Sequence, residues 1–212
     1  MLPATNRPCS IGPRYQAGFS LLEALIAGVI LAIGILGVVS LMAMSKVSQH
    51  EGIQRVRAVA LADDMLERIR RNPGSMAEYD TGLAAPLGGG TKGTTVPSPD
   101  CNTAVCDFAE LARHDLWNWE RLLDGSSATV TDAGGNVNPT AAMRNVQACI
   151  EFTADTGKVN TGTVDIVVQW QALQESRDAY VSGATLCGTA TAEDKTRRQL
   201  IVSSYVIDET EI

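Results

Sequence analysis

Gln16-Ala17-Gly18-Phe19-Ser20-Leu21-Leu22-Glu23-Ala24-Leu25-Ile26 decides how the rest of the chain is read. A Gly-Phe step closes a short leader whose only charges are Arg7 and Arg14. A carboxylate follows at Glu23, and from Ala24 to Met44 there are 21 residues without a charge. At 1.5 Å per residue that run makes a helix of about 31 Å, enough to cross a hydrocarbon core. Helices apolar on every face are usually embedded in lipid rather than laid on a soluble domain. A cleaved secretory signal has a shorter apolar stretch, about 7–15 residues, with the cleavage site after it. Here the polar, basic segment stands before the run, and no polar break follows it closely.

Charge is segregated along the chain. Residues 1–18 carry +2, residues 19–44 carry −1 and residues 45–212 carry −8, within a net charge of −7. A protein bound to nucleic acid through phosphate contacts needs a basic stripe, and this body is acidic. A multi-span membrane protein needs a second long apolar run, which the sequence lacks. With 45% hydrophobic residues the chain is too apolar to be disordered.

The junction resembles the type IV prepilin signature: Gly18, Phe19, Ser20, Leu21, a hydrophobe, Glu23, then about twenty apolar residues. The resemblance implies cleavage after Gly18 by a prepilin peptidase and N-methylation of the new terminus, Phe19. Cleavage leaves an amine at the end of an apolar helix, where an unpaired charge is costly. Glu23 supplies the opposite charge, and the resemblance implies that it neutralises the amine of a neighbouring subunit and sets axial register. Carboxylates at membrane depth are functional by default. Two basic residues precede the span (Arg7, Arg14) and three follow it (Lys46, Arg55, Arg57), so basic residues alone do not orient it. The resemblance and the cysteines place the leader in the cytoplasm and the body outside.

No proline interrupts residues 19–72. After the apolar run, Ile53, Val56, Val59, Ala62, Leu66 and Ile69 recur at three- and four-residue steps, widened by Ala60, Leu61 and Met65. Glu51, Arg55, Arg57, Asp64, Glu67, Arg68 and Arg71 lie opposite, as in an amphipathic helix. Asn72-Pro73-Gly74 ends it. Residues 19–71 are therefore expected as one rod, roughly 80 Å long. Its membrane-embedded part is about residues 21–44 and its amphipathic half covers a body at 72–212.

Residues 73–106 read as an irregular connection. Asp107 and Glu110 then form a capping-box signature. It opens a helix with Phe108, Ala112, Leu116, Trp119 and Leu123 inward and Gly125 as its stop. Val146, Ala148, Ile150 and Phe152 alternate with Gln147, Cys149 and Glu151. Val164, Ile166, Val168 and Trp170 alternate likewise, and Leu200–Ile207 reads as a last strand. The expected fold class is α+β and pilin-like: a long N-terminal helix packed on a small antiparallel sheet with one covered face.

Cys9 leaves with the leader. Cys101, Cys106, Cys149 and Cys187 remain, an even set that reads as two disulfides in an exported body. Three pairings are possible; Cys101–Cys106 with Cys149–Cys187 needs the least rearrangement of the expected elements. A four-thiolate zinc site lacks its CxxC knuckles. Gly88-Gly89-Gly90-Thr91-Lys92-Gly93 is no phosphate loop, because Lys92 precedes the last glycine and no apolar strand leads in. Asp132-Ala-Gly-Gly-Asn-Val-Asn138 has the wrong spacing for a calcium loop and reads as a connection. His50 and His114 read as surface helix residues. No catalytic, metal or cofactor constellation stands out, so the expectation is a protein without enzymatic activity or cofactor.

The resemblance extends in outline to type IV minor pilins of the PilV group. It implies a structural role: initiating assembly of type IV pili or decorating their tip, with effects on adhesion and twitching motility. The implied partners are the prepilin peptidase, other minor pilins, the major pilin and the inner-membrane assembly platform, with no nucleic acid and no small-molecule substrate. The implied location is the inner membrane, single-pass, then the pilus. A minor pseudopilin of type II secretion shares the leader, Glu23 and the rod. A periplasmic enzyme or receptor on a signal anchor is the distant alternative.

Overall fold

The computed structural model describes residues 18, 20–126, 129–139, 143–175, 187–188 and 195–212. The chain divides into two compact units, a first that ends at Lys46 and a second, Val47–Ile212.

Helix α1, Leu21–Arg71, runs through both units without a break. Ser20 opens it: the Glu23 N–H donates to Ser20 Oγ at 3.2 Å, and the Ser20 carbonyl accepts from Glu23 and Ala24. In the first unit the apolar side chains from Leu21 to Met44 are exposed, and none of the 18-residue apolar window is buried, so this is no core helix. Asn72 and Pro73 end α1, because proline supplies no N–H and disfavours the helical region for the residue before it.

The second unit has an α+β core. After a turn at Pro73–Ser75 and a short helix α2, Met76–Tyr79, comes α3, Phe108–Leu123. Both halves of the Asp107–Glu110 capping box are formed. A hairpin pairs β1, Thr129–Thr131, with β2, Val137–Pro139, around the Asp132–Asn136 turn. The main sheet is antiparallel in the order β3, Gln147–Ala154; β4, Gly162–Gln171; β5, Arg197–Val206. Ile150 faces Ile166, which faces Val202. Ala58, Ala62, Met65, Leu66 and Ile69 of α1 pack with Trp119 and Leu123 of α3 and with Ile150, Val164, Ile166 and Val168 of the sheet.

Four expectations change. Ile53 (53% exposed), Val56 (69%) and Val59 (38%) are not in the core; the buried line runs through Gln54, Ala58, Ala62, Met65 and Ile69. Each three-residue step falls about 60° short of a full turn, so Ile53 lies about 180° around the helix from Ala62. Phe108 is exposed, since it stands in the first turn of α3 ahead of the buried stripe. The last strand begins at Arg197 and ends at Val206, because polar side chains do not prevent backbone pairing with Trp170 and Gln171. The sheet is covered on both faces at one end, where Cys149, Val167 and Cys187 form a second buried cluster with Leu83 packed on it.

Polar groups fasten the helices together. Asp115 accepts from Arg68 at 3.0 Å and from the Tyr79 hydroxyl at 2.7 Å. Asn72 Nδ2 donates to the Tyr79 oxygen and to the Phe108 carbonyl. Trp119 Nε1 donates to the Leu61 carbonyl of α1 at 2.8 Å. Burial pushes the Tyr79 phenol far above its ordinary range, and the neighbouring carboxylate of Asp115 adds to this, so it stays a donor at any working pH.

Cys101 is bonded to Cys106 and Cys149 to Cys187. The second closes the longer loop, with a sequence separation of 38 against 5. In the chain-entropy model the two bonds contribute about 4 and about 2 kcal/mol. The Cys149→Ala/Cys187→Ala variant is expected to lose roughly twice the stability of Cys101→Ala/Cys106→Ala in urea unfolding. Equal losses would contradict the loop-closure argument.

Candidate functional site

The motif residues gather at the start of α1. Gly18 is exposed, and a Cβ added there would meet nothing within 4 Å, so the fold does not require glycine at this position. Phe19 and the leader residues 1–17 lie outside the described residues. Glu23 stands in the first turn of α1, where free N–H groups and the helix dipole favour a carboxylate. It is exposed among exposed Leu21, Leu22, Leu25 and Ile26. Among the described residues it makes no ion pair. The apolar helix fits a membrane anchor, and an unpaired charge at membrane depth is costly.

Nothing in the body repeats this pattern. Among the described residues no group of three His, Cys, Asp or Glu could hold a metal ion. Asp132 accepts from the N–H groups of Gly134 and Asn136, both at 2.9 Å, which makes this segment a hairpin turn. His50 is exposed, but His114 is buried, which corrects its reading as a surface residue. Its Nε2 lies 3.2 Å from Asn102 Nδ2 and 3.4 Å from Asp100 Oδ1, under the loop that the Cys101–Cys106 disulfide closes. That loop supplies the cover, and the helix periodicity alone gave no sign of it.

The glycine-rich segment does hold an anion, but the anion is the protein's own. Glu120 of α3 is buried and accepts from the N–H of Gly88 at 2.9 Å, of Thr91 at 2.8 Å and of Lys92 at 2.6 Å, and from the Thr91 hydroxyl. Asp124 accepts from the N–H groups of Gly89 and Gly90. Trp117 Nε1 donates to the Gly93 carbonyl. This segment is an anion nest filled from α3. Gly88 is needed here, because its φ is +116° and a Cβ would sit 2.5 Å from the Val146 carbonyl oxygen. Sequence reading found the loop and missed its occupant; the only local hint is two acids, Glu120 and Asp124, one turn apart.

Two family models match the chain. The prokaryotic N-terminal methylation motif matches residues 13–44, and type IV pilin Tt1218 matches residues 40–117. The chain is a type IV pilin with a prepilin signal. Its long helix on a three-stranded antiparallel sheet is a pilin fold. No curated protein and no solved structure matches it. The pilin family is structural, and the methylation motif implies processing by a prepilin peptidase and assembly with other pilins.

The pilin body owes part of its loop structure to Glu120. Burial raises that carboxyl, but the hydrogen bonds from Thr91, Gly88 and Lys92 outweigh it and hold it below the usual carboxylate range. A depressed folded pKa gives stability that is present above the unfolded value and lost as pH falls through the folded one. Glu120→Gln is expected to cost about 1–3 kcal/mol at neutral pH, because an amide cannot accept from every donor of the nest. The deficit should shrink as the wild type is acidified below about pH 4. A variant as stable as wild type at pH 7 would show that the nest does not hold the loop.

Proposed function

We propose that this pilin is a minor pilin of the PilV type, which helps to initiate type IV pili or sits at their tip and so acts in adhesion and twitching motility. The observation that carries the reading is Glu23: an exposed, unpaired carboxylate in an apolar helix, four residues past the amine that cleavage after Gly18 creates. The leader 1–18 is removed in the cytoplasm-facing leaflet, Phe19 is methylated, and about residues 21–44 lie in the inner membrane. Residues 72–212 stand on the periplasmic side. Before assembly Glu23 remains near the membrane surface. On assembly, a neighbour's terminal amine neutralises it, and the register of the two chains follows from that contact. The partners are then the other minor pilins, the major pilin and the assembly platform. The disulfides suit an oxidising compartment.

The mass of the membrane-extracted protein checks the first step. Loss of residues 1–18 with one added methyl group is the expected result, and an uncut chain would sink the proposal. Glu23→Ala is expected to be processed at the wild-type level but to enter pili at least about tenfold less, the equivalent of about 1.4 kcal/mol. Normal incorporation would remove Glu23 from the mechanism. Deletion should reduce piliation and leave type II secretion unchanged; the reverse result identifies a pseudopilin.

A further inference from the structure

The two edges of the main sheet differ. The β3 edge is strapped: Leu87 exchanges two backbone bonds with Ala148, and the Ile150 carbonyl accepts from Thr81 and Gly82. Ala148 and Ile150 therefore point away from β4, and their neighbours Cys149 and Glu151 bond to Val167 and Asp165. Alternation then fixes the other side of β4. Val164, Ile166 and Val168 bond to Ser204, Val202 and Leu200, while Ile201, Ser203 and Tyr205 aim their N–H and C=O groups outward. Among the described residues no backbone group pairs with those three. Ile201 is 41% and Tyr205 50% exposed.

Natural sheets blunt such an edge with charge, proline, a bulge or a cover. From Gln199 to Ile207 there is no charge and no proline, and the ladder to β4 runs without a bulge from Arg197 to Val206. We infer that the β5 edge is a strand-addition site for an extended segment of a different pilin subunit. The inference rests on the pilin reading, which supplies the partners. A second copy is the wrong occupant for two reasons. Glu51 lies 3.7 Å from Arg198 and Arg70 lies 3.0 Å from Ser204, so α1 runs in the direction of β5. An antiparallel β5 pair would set two α1 helices in opposite directions, which chains entering one membrane the same way do not do. A copy pairing in parallel through its β3 meets the strap on Ala148 and Ile150. One pairing in parallel through its own β5 must slip by a residue, because the outward groups of both strands sit at the same positions, so the two copies lose their two-fold equivalence. Charge defines the segment further. Arg197 and Arg198 stand at one end of the edge and Glu209 and Glu211 beyond the other. An antiparallel guest fits with an uncharged stretch of about five residues, a basic residue before it and an acid after it.

The test uses the full chain, co-expressed in membranes with each of its cell's other pilin-class subunits in turn, and reads amide hydrogen exchange over residues 199–207. One pairing should slow exchange there at least about tenfold. Ser203→Pro should abolish that protection and the co-purification, since the Ser203 N–H points outward and the β4 ladder does not use it. Ile201→Lys, on the exposed face, serves as the second variant should proline disturb the strand. Binding without protection of 199–207, undiminished binding by both variants, no binding to any subunit, or protection in the chain alone would each overturn the inference. Processing separates the failures: a chain that is cut and methylated but keeps a bare edge leaves the pilin reading standing and removes only this one.

Discussion

One continuous helix has to satisfy two solvents. Between its first and last turns the backbone of α1 bonds to itself, so the main-chain polar groups along the apolar run need no partner from lipid or protein. What changes along its length is only the side-chain surface. The first part is apolar on all sides. The second part is buried along Gln54, Ala58, Ala62, Met65, Leu66 and Ile69. Small residues dominate the start of that line, which lets neighbouring elements approach the helix closely before the larger Met65 and Ile69 fill the core. The globular unit is built on this strip.

Hydrophobic area alone does not specify how α3 sits on α1, because apolar contact is not directional. Direction comes from three polar contacts. The Asp115 carboxylate joins Arg68 of α1 to Tyr79 of α2, Asn72 joins the end of α1 to the start of α3, and the Trp119 indole caps a carbonyl of α1. Each has a buried partner, Tyr79, Asn72 or Trp119, whose polar group would be left unsatisfied without the bond. The same logic holds at the far end of α3, where Glu120 and Asp124 gather a loop that has few apolar side chains to hold it.

Features that depend on neighbours in sequence were legible. The unbroken α1, its stop at Asn72-Pro73, the capping box at Asp107 and Glu110, and the alternation in β3 and β4 are all set by residues within a turn or a strand of each other. Features that depend on distant partners were not. His114 is buried because a loop twelve residues away lies over it, and helix periodicity contains no term for that. Ile53, Val56 and Val59 look like core residues by composition, yet the core lies on the other side of α1 because the sheet meets it at Ala58 and beyond. The outward face of Cys149 is covered because Cys187 returns to it from 38 residues on. The methylation motif matched at residues 13–44 was legible for a different reason: its signal lies in consecutive residues and does not depend on this chain's own tertiary contacts.

Glycine separates the two kinds of demand. In the body the fold explains it: a Cβ on Gly88 or Gly162 would drive into the carbonyl oxygen of Val146 or Thr153. At Gly18, Gly28, Gly34 and Gly37 a Cβ meets nothing within 4 Å. Glycine inside a helix costs up to about 1 kcal/mol relative to alanine, so three of these residues weaken α1 with no return inside the monomer. Small residues on a membrane helix allow other helices to approach closely. Most of the glycines in α1 that a lone subunit cannot account for therefore lie in the part that carries the prepilin signal, with Gly52 beyond it. Glu23 belongs to the same set: its place suits the helix N-terminus, but among the described residues no cation pairs with its charge. A helix that accepts these costs is shaped for the assembled state, and the body at its end is the portion whose sequence answers to the monomer's own stability.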